Sequence, residues 1–261
     1  MYNNYKSKPK TNNAEVAKKW IETLKTRYSE QVNAAIESTH YVDDLKSELE
    51  INDKPGYDTQ VLIFKQDVSI CTKAGITRLK VGEKLNVLDF ASYTNPGGGF
   101  IKGAHAQEED ICNMSGLYLC LAAQQKIYDK RKNQRYDGLY GDDYFYVKDC
   151  PFIIDGKSYL ADVTVLAAVN AKATRAPYDE VESHMRRRMK TAFLVPYTYG
   201  CTHLILGAFG CGVFGNDVKF VAETWLNLLQ EYKGLYKNVV FAVIDPKMKQ
   251  EFTKILGPVL C

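Results

Sequence analysis

Short apolar runs alternate along this chain with stretches of helical periodicity, and that alternation constrains the fold more than any other feature. The strand-like runs cover 61–64, 85–90, 159–169, 203–206 and 239–244, and the helix-like stretches cover 107–127, 179–193, 217–232 and 246–256. The clearest helical stripe follows Asn216, where Val218, Val221, Ala222, Trp225, Leu228, Leu229 and Tyr232 share one face. Strands that alternate with helices predict a layered α/β fold with a parallel or mixed sheet. In such folds ligands bind beyond the carboxyl ends of the strands, so the strand-to-helix loops are the places to look for chemistry.

Upstream of the first run, Val16, Trp20, Leu24 and Tyr28 recur four apart, which predicts a helical segment over 14–56 closed by K-P-G at 54–56. Residues 1–13 have the polar composition of a disordered tail, and 57–261 contain no linker that would divide them. The N-terminus lacks the apolar stretch of a secretory signal, and no run is long enough to span a bilayer. Seven widely spaced cysteines without a C-x-x-C pair indicate reduced thiols, hence an intracellular, cytoplasmic setting with a nuclear one left open. His105, Cys112 and Cys211 match no closed zinc spacing, and no metal is expected. A net charge of +3 is too mild for a nucleic-acid or membrane surface partner. In the 179–193 helix Met185 and Met189 are read as core, and Arg186, Arg187 and Arg188 as a solvated face.

Two loops stand out because each runs strand, glycines, helix. The first reads N-P-G-G-G-F-I-K-G-A-H-A-Q-E-E-D from Asn95, and the second G-A-F-G-C-G-V-F-G-N-D from Gly207. Glycine lets backbone N–H groups approach a ligand with no Cβ in the way, and a helix N-terminus favours anions. Two such loops in one sheet suit a ligand with two phosphates. There is no G-x-x-x-x-G-K-[ST] and no early G-x-G-x-x-G, which disfavours a P-loop ATPase and a dinucleotide oxidoreductase. Glu108, Glu109 and Asp110 have two readings: complements to a helix dipole, or proton-transfer groups whose pKa is raised beside a diphosphate. The second reading fits cleavage of a glycosidic bond on a ribose attached to that diphosphate, with the two glutamates in different roles.

The spacing of Gly97, Gly98 and Gly99, seven residues, then Gln107, Glu108 and Glu109 resembles the signature of the bacterial-type poly(ADP-ribose) glycohydrolases, a branch of the macrodomain fold. S-G-L-Y at 115–118 and the late G-A-F-G-C-G-V-F-G-N-D resemble it too, and the likeness covers roughly 57–256. The resemblance implies a three-layer α/β/α macrodomain with a mixed central sheet, extended by the N-terminal helical segment as an accessory element. It implies Glu109 as general acid, Glu108 as a clamp on the distal ribose, and Gln107 as a support. It also implies Gly97–99 together with Gly210, Gly212, Val213, Phe214 and Gly215 as the diphosphate cradle. Asp67 resembles the residue that accepts the adenine amino group, and Asn170 is a further pocket candidate. The implied substrate is poly(ADP-ribose) or an ADP-ribosylated protein, with ADP-ribose as product. No cofactor, membrane or sequence-specific nucleic acid is involved in this reading. The alternatives are a mono(ADP-ribosyl) hydrolase acting on protein or nucleic acid, and an ADP-ribose reader without turnover.

Overall fold

The structure, a computed structural model of the 261-residue chain, describes residues 10–44, 49–134 and 137–260. Two helices, α1 (Lys10–Arg27) and α2 (Ser29–Glu37), lead into strand β1 (Thr39–Val42). There follow β2 (Gln60–Phe64), α3 (Val68–Ile76), β3 (Leu85–Phe90), α4 (Gln107–Cys112), α5 (Leu117–Ala122) and α6 (Gln125–Asn133). The second half holds β4 (Tyr144–Ile154), β5 (Lys157–Leu166), α7 (Tyr178–Thr198), β6 (His203–Gly207), α8 (Val218–Glu231), β7 (Asn238–Ala242) and α9 (Pro246–Leu256). The strands form one sheet in the order β1-β4-β5-β3-β6-β7-β2. From β5 to β2 neighbours run parallel, while β4 and β1 add two antiparallel pairings at the other edge.

Period-two alternation sorts the strand side chains onto two faces. Leu204, Leu206, Val239 and Phe241 join a core with α7, α8 and α9, whereas Val87, Val163, Val165 and Ile205 join a second core with α1 to α6. The result is the expected three-layer α/β/α arrangement around a mixed sheet. Met185 and Met189 are fully buried in the first core, as expected.

Several elements differ from the sequence expectation. The stretch 107–127 is not one helix: it breaks at Asn113–Gly116, where a Cβ on Gly116 would stand 2.9 Å from Pro151 Cγ and Ser115 bridges to Phe152. Strand β4 escapes the pattern because Lys148 and Asp149 interrupt its apolar run. There the ladder shifts register between Val147 and Cys150, and Asp149 takes φ 52°. The run 159–169 ends as a strand at Leu166, and α3 carries too short an amphipathic stripe to register. The N-terminal segment is not wholly helical, since β1 completes the sheet edge, and Val16 is exposed while Ala17 and Leu24 are buried. Helix α1 begins at Lys10, inside the span expected to be a disordered tail; residues 1–9 lie outside the described residues.

Candidate active site

The site begins where two parallel strands part. Strand β3 pairs with β6 only from Leu85 to Val87, which leaves the carbonyl of Leu88 and the N–H of Phe90 without a ladder partner on that side. The Gln107 carboxamide fills the gap: its Oε1 accepts from Phe90 N at 2.8 Å and its Nε2 donates to Leu88 O at 2.7 Å. One side chain thus satisfies two backbone groups that would otherwise be costly and ties the start of α4 to the end of β3. A cleft of about 520 Å³ opens beyond, lined by both glycine loops and by Glu108 and Glu109.

The three glycines are explained by what lies against them. Gly97 and Gly98 have φ of 64° and 60°, the left-handed region that glycine enters without penalty. A Cβ on Gly98 would also stand 2.5 Å from Glu109 Oε1 and 2.8 Å from Glu108 Oε2. The turn therefore lets two carboxylates pack on bare backbone. Glu109 Oε1 accepts the Gly99 N–H at 2.7 Å, and Glu108 Oε2 accepts the Ser92 N–H at 2.8 Å.

A third carboxylate, which the motif does not include, belongs to the same cluster. Asp89, on β3, is fully buried, and among the described residues neither of its oxygens has a hydrogen-bond partner, nor do Glu108 Oε1 and Tyr128 Oη. Burial, then the charge of Glu109, raises the Asp89 pKa well above the ordinary carboxylate range. Burial, then Asp89, does the same to Glu108, opposed by the Ser92 N–H. Both carboxyls therefore favour their neutral form, and they sit beside Glu109. An acidic residue inside the apolar run L-N-V-L-D-F was the signal that could have marked Asp89.

The second loop supplies donors. Asn216 Nδ2 bonds Val169 O at 2.7 Å and Gly210 O at 3.1 Å, holding the turn with Gly210 at φ 74°. Cys211 and Gly215 spend their N–H groups on Ala208 O and Gly212 O. The N–H groups of Gly210, Gly212, Val213 and Phe214 have no partner among the described residues, and these four residues line the cleft. Helix α8 adds less than expected, because its N-cap Asp217 already accepts the Phe220 N–H.

An aromatic wall joins the loops. Tyr93 stacks on Tyr140 at 4.7 Å, and Tyr140 meets Phe214 at 6.0 Å. Arg131 stands 4.6 Å from the Tyr93 ring and pairs with Asp143 at 2.7 Å, fixing the wall from behind. Arg188 overturns its reading as part of a solvated face. It is fully buried and donates to Leu139 O at 2.5 Å and Gly141 O at 3.1 Å, holding the loop that carries Tyr140. Its position seven residues after Val181 and three after Met185 places it on the core stripe, which periodicity does show.

The N-terminal segment braces α4. Trp20 Nε1 donates to Cys112 O at 2.9 Å and Ser115 O at 3.3 Å, capping the C-terminal end of α4, and Asn13 reaches Gly103 O at 3.4 Å. Trp20→Phe keeps most of the packing and deletes that donor. It is expected to cost about 1 kcal/mol, read as a fall of roughly 2–4 °C in melting temperature.

The remaining candidates sit farther out. Gly97, Gly99 and Gly215 shape their loops without lining the cleft. Asp67 caps α3, accepting from Ile70 N at 3.0 Å and Ser69 Oγ at 2.5 Å, while the adjacent Val68 lines the cleft. Asn170 shapes a turn, its N–H bonded to Gly138 O at 2.8 Å and its carbonyl accepting from Ala173 and Thr174. His105 pairs with Asp110 at 2.5 Å, and burial lifts the Asp110 pKa to about 6.

The parted parallel sheet, the loop of free N–H groups and the buried carboxylate cluster meet in one cleft of an α/β/α fold. Residues 13–155 match the family model described as microbial-type PARG, catalytic domain. The fold is similar to that of poly(ADP-ribose) glycohydrolase (PARG) from Thermomonospora curvata, with TM-score 0.85 and 28% identity over 94% of this chain and 99% of that one. It is also similar to the Deinococcus radiodurans enzyme in complex with ADP-ribose, with TM-score 0.76 and 30% identity over 88% and 98%. No curated protein matches by sequence. The chain belongs to the microbial-type poly(ADP-ribose) glycohydrolase family, whose catalytic domains are glycosidases. Among the described residues, no helix is long and apolar enough to cross a membrane.

Proposed function

We propose that this chain hydrolyses the ribose–ribose O-glycosidic bond of poly(ADP-ribose), with Glu109 as general acid and Glu108 as the clamp on the distal ribose. The observation that carries the assignment of roles is the asymmetry of the pair. Glu109 Oε1 is held by Gly99 N–H, leaving its second oxygen for the cleft, whereas Glu108 sits deeper, tied to Ser92 and next to Asp89. Glu109 gives its proton to the leaving 2′-oxygen as the bond from that oxygen to the distal anomeric carbon breaks, the bonding pair departing with the oxygen. The sugar becomes oxocarbenium-like. Water then adds to the anomeric carbon and returns a proton to Glu109. The free N–H groups of Gly210, Gly212, Val213 and Phe214 support the diphosphate, and Phe214 packs on the sugar or adenine.

The protein is a poly(ADP-ribose) glycohydrolase by family and fold, and the direct test is product release. Purified protein is incubated with poly(ADP-ribose) and, separately, with mono-ADP-ribosylated protein, and free ADP-ribose is measured. Release from polymer is expected. Release from the mono-modified protein alone makes the chain a mono(ADP-ribosyl) hydrolase, and binding of ADP-ribose with no release makes it a reader.

A further inference from the structure

The cleft poses an electrostatic problem that its own lining does not solve. Its carboxyl side chains are Glu108, Glu109, Asp110 and Asp245, and among the described residues no lysine or arginine lines it. A diphosphate entering such a cleft meets backbone dipoles but, among the described lining residues, no cation. Lys172 follows β5 in a turn whose N–H donates to Phe214 O at 3.2 Å, so its backbone is fastened to the second glycine loop. Its side chain then runs along that loop, over the Cα of Gly215. A Cβ there would stand 2.6 Å from Lys172 Cε and 2.8 Å from Cγ. The ammonium ends 3.5 Å from the carbonyl of Gly212, a residue that lines the cleft. It forms no ion pair among the described residues, so its charge is uncommitted.

Building on the diphosphate reading of this loop, we propose that Lys172 is the cation of the site, a binding residue that meets the diphosphate from the outer side of the 210–215 loop. Gly215 is then needed for two reasons: its φ of 72° and the track it leaves for the lysine stem. The free N–H groups fix the phosphates by geometry, and the ammonium supplies charge without occupying the cleft. A point charge on a flexible stem suits this role, since it can follow either phosphate.

The test separates the charge from the stem. ADP-ribose binding to the full chain is measured by calorimetry from low to high sodium chloride for wild type, Lys172→Met and Lys172→Arg. Lys172→Met keeps an apolar stem on Gly215 and removes the ammonium. It is expected to weaken binding on the order of tenfold at low salt and to flatten the salt dependence, because screening acts on the interaction that has gone. Lys172→Arg is expected to stay within roughly threefold of wild type. If Lys172→Met binds like wild type at every salt concentration, or if both variants lose affinity equally, the lysine is a loop prop and the proposal is overturned. Absence of binding by wild type itself would remove the underlying diphosphate reading, and the proposal with it.

Discussion

Replacing Glu109 by glutamine is expected to abolish release of ADP-ribose from polymer while leaving ADP-ribose binding nearly intact. The amide oxygen can still accept the Gly99 N–H that Glu109 Oε1 accepts at 2.7 Å, so the loop around Gly98 has no reason to move. On the proposed role, what disappears is a transferable proton beside the leaving oxygen. Loss of a positioned general acid costs about 10²–10⁴ in rate, and the fall should appear in kcat under saturating polymer. Calorimetry with ADP-ribose should give an affinity within roughly threefold of wild type, because the N–H groups of the second loop are untouched. Undiminished turnover in the variant would falsify the role given to Glu109. A parallel loss of binding and turnover would instead mean that the carboxylate holds the loop and does not deliver a proton.

The parts of this site that were legible in sequence are those that local backbone chemistry dictates. Three glycines in a row, followed by Q-E-E, mark a bare turn beside carboxylates; the sequence assigns that turn to a diphosphate, whereas Gly98 lies against both glutamates and the Gly99 N–H is taken by Glu109. The second loop was legible for the same reason, and so was the layered fold, since period two and period 3.6 alternate openly. What stayed hidden depends on contacts between distant segments. Asp89 reads as one polar residue in a strand until α4 folds back over it. Trp20 and Cys112 are 92 residues apart, and nothing local says that the N-terminal helix caps α4. Tyr93, Tyr140 and Phe214 come from three different loops, and their wall exists only because Arg131 and Arg188 hold the loops from behind. Arg188 was misjudged because three consecutive arginines suggest solvent, although helical geometry turns each residue about 100° from the last.

Asp89 also gives the clearest stability signature. Its carboxyl is fully buried with no hydrogen-bond partner among the described residues, and burial with the nearby Glu109 charge raises its pKa well above the ordinary range. The linkage sign follows from that direction. A carboxyl whose pKa is higher in the folded state binds its proton more tightly there than when unfolded. Its favourable contribution is complete below the unfolded pKa of about 4 and is lost as pH rises through the folded value. Glu108 moves the same way, so the two together should make the protein less stable on the alkaline side. Asp89→Asn removes one of these ionisations and keeps the shape of the side chain. Below about pH 5 the variant and wild type should melt within a few degrees of each other. At pH 9 the variant should be the more stable, by on the order of 2 kcal/mol, since ionising an unpaired buried carboxylate costs at least that much. For a chain of this size that is roughly 4–8 °C in melting temperature. The measurement is a melting series from pH 5 to pH 9 on both proteins. A constant offset between them would show that the folded protein holds a proton on Asp89 no more tightly than the unfolded chain, and its place among the proton-bearing groups around Glu109 would be lost.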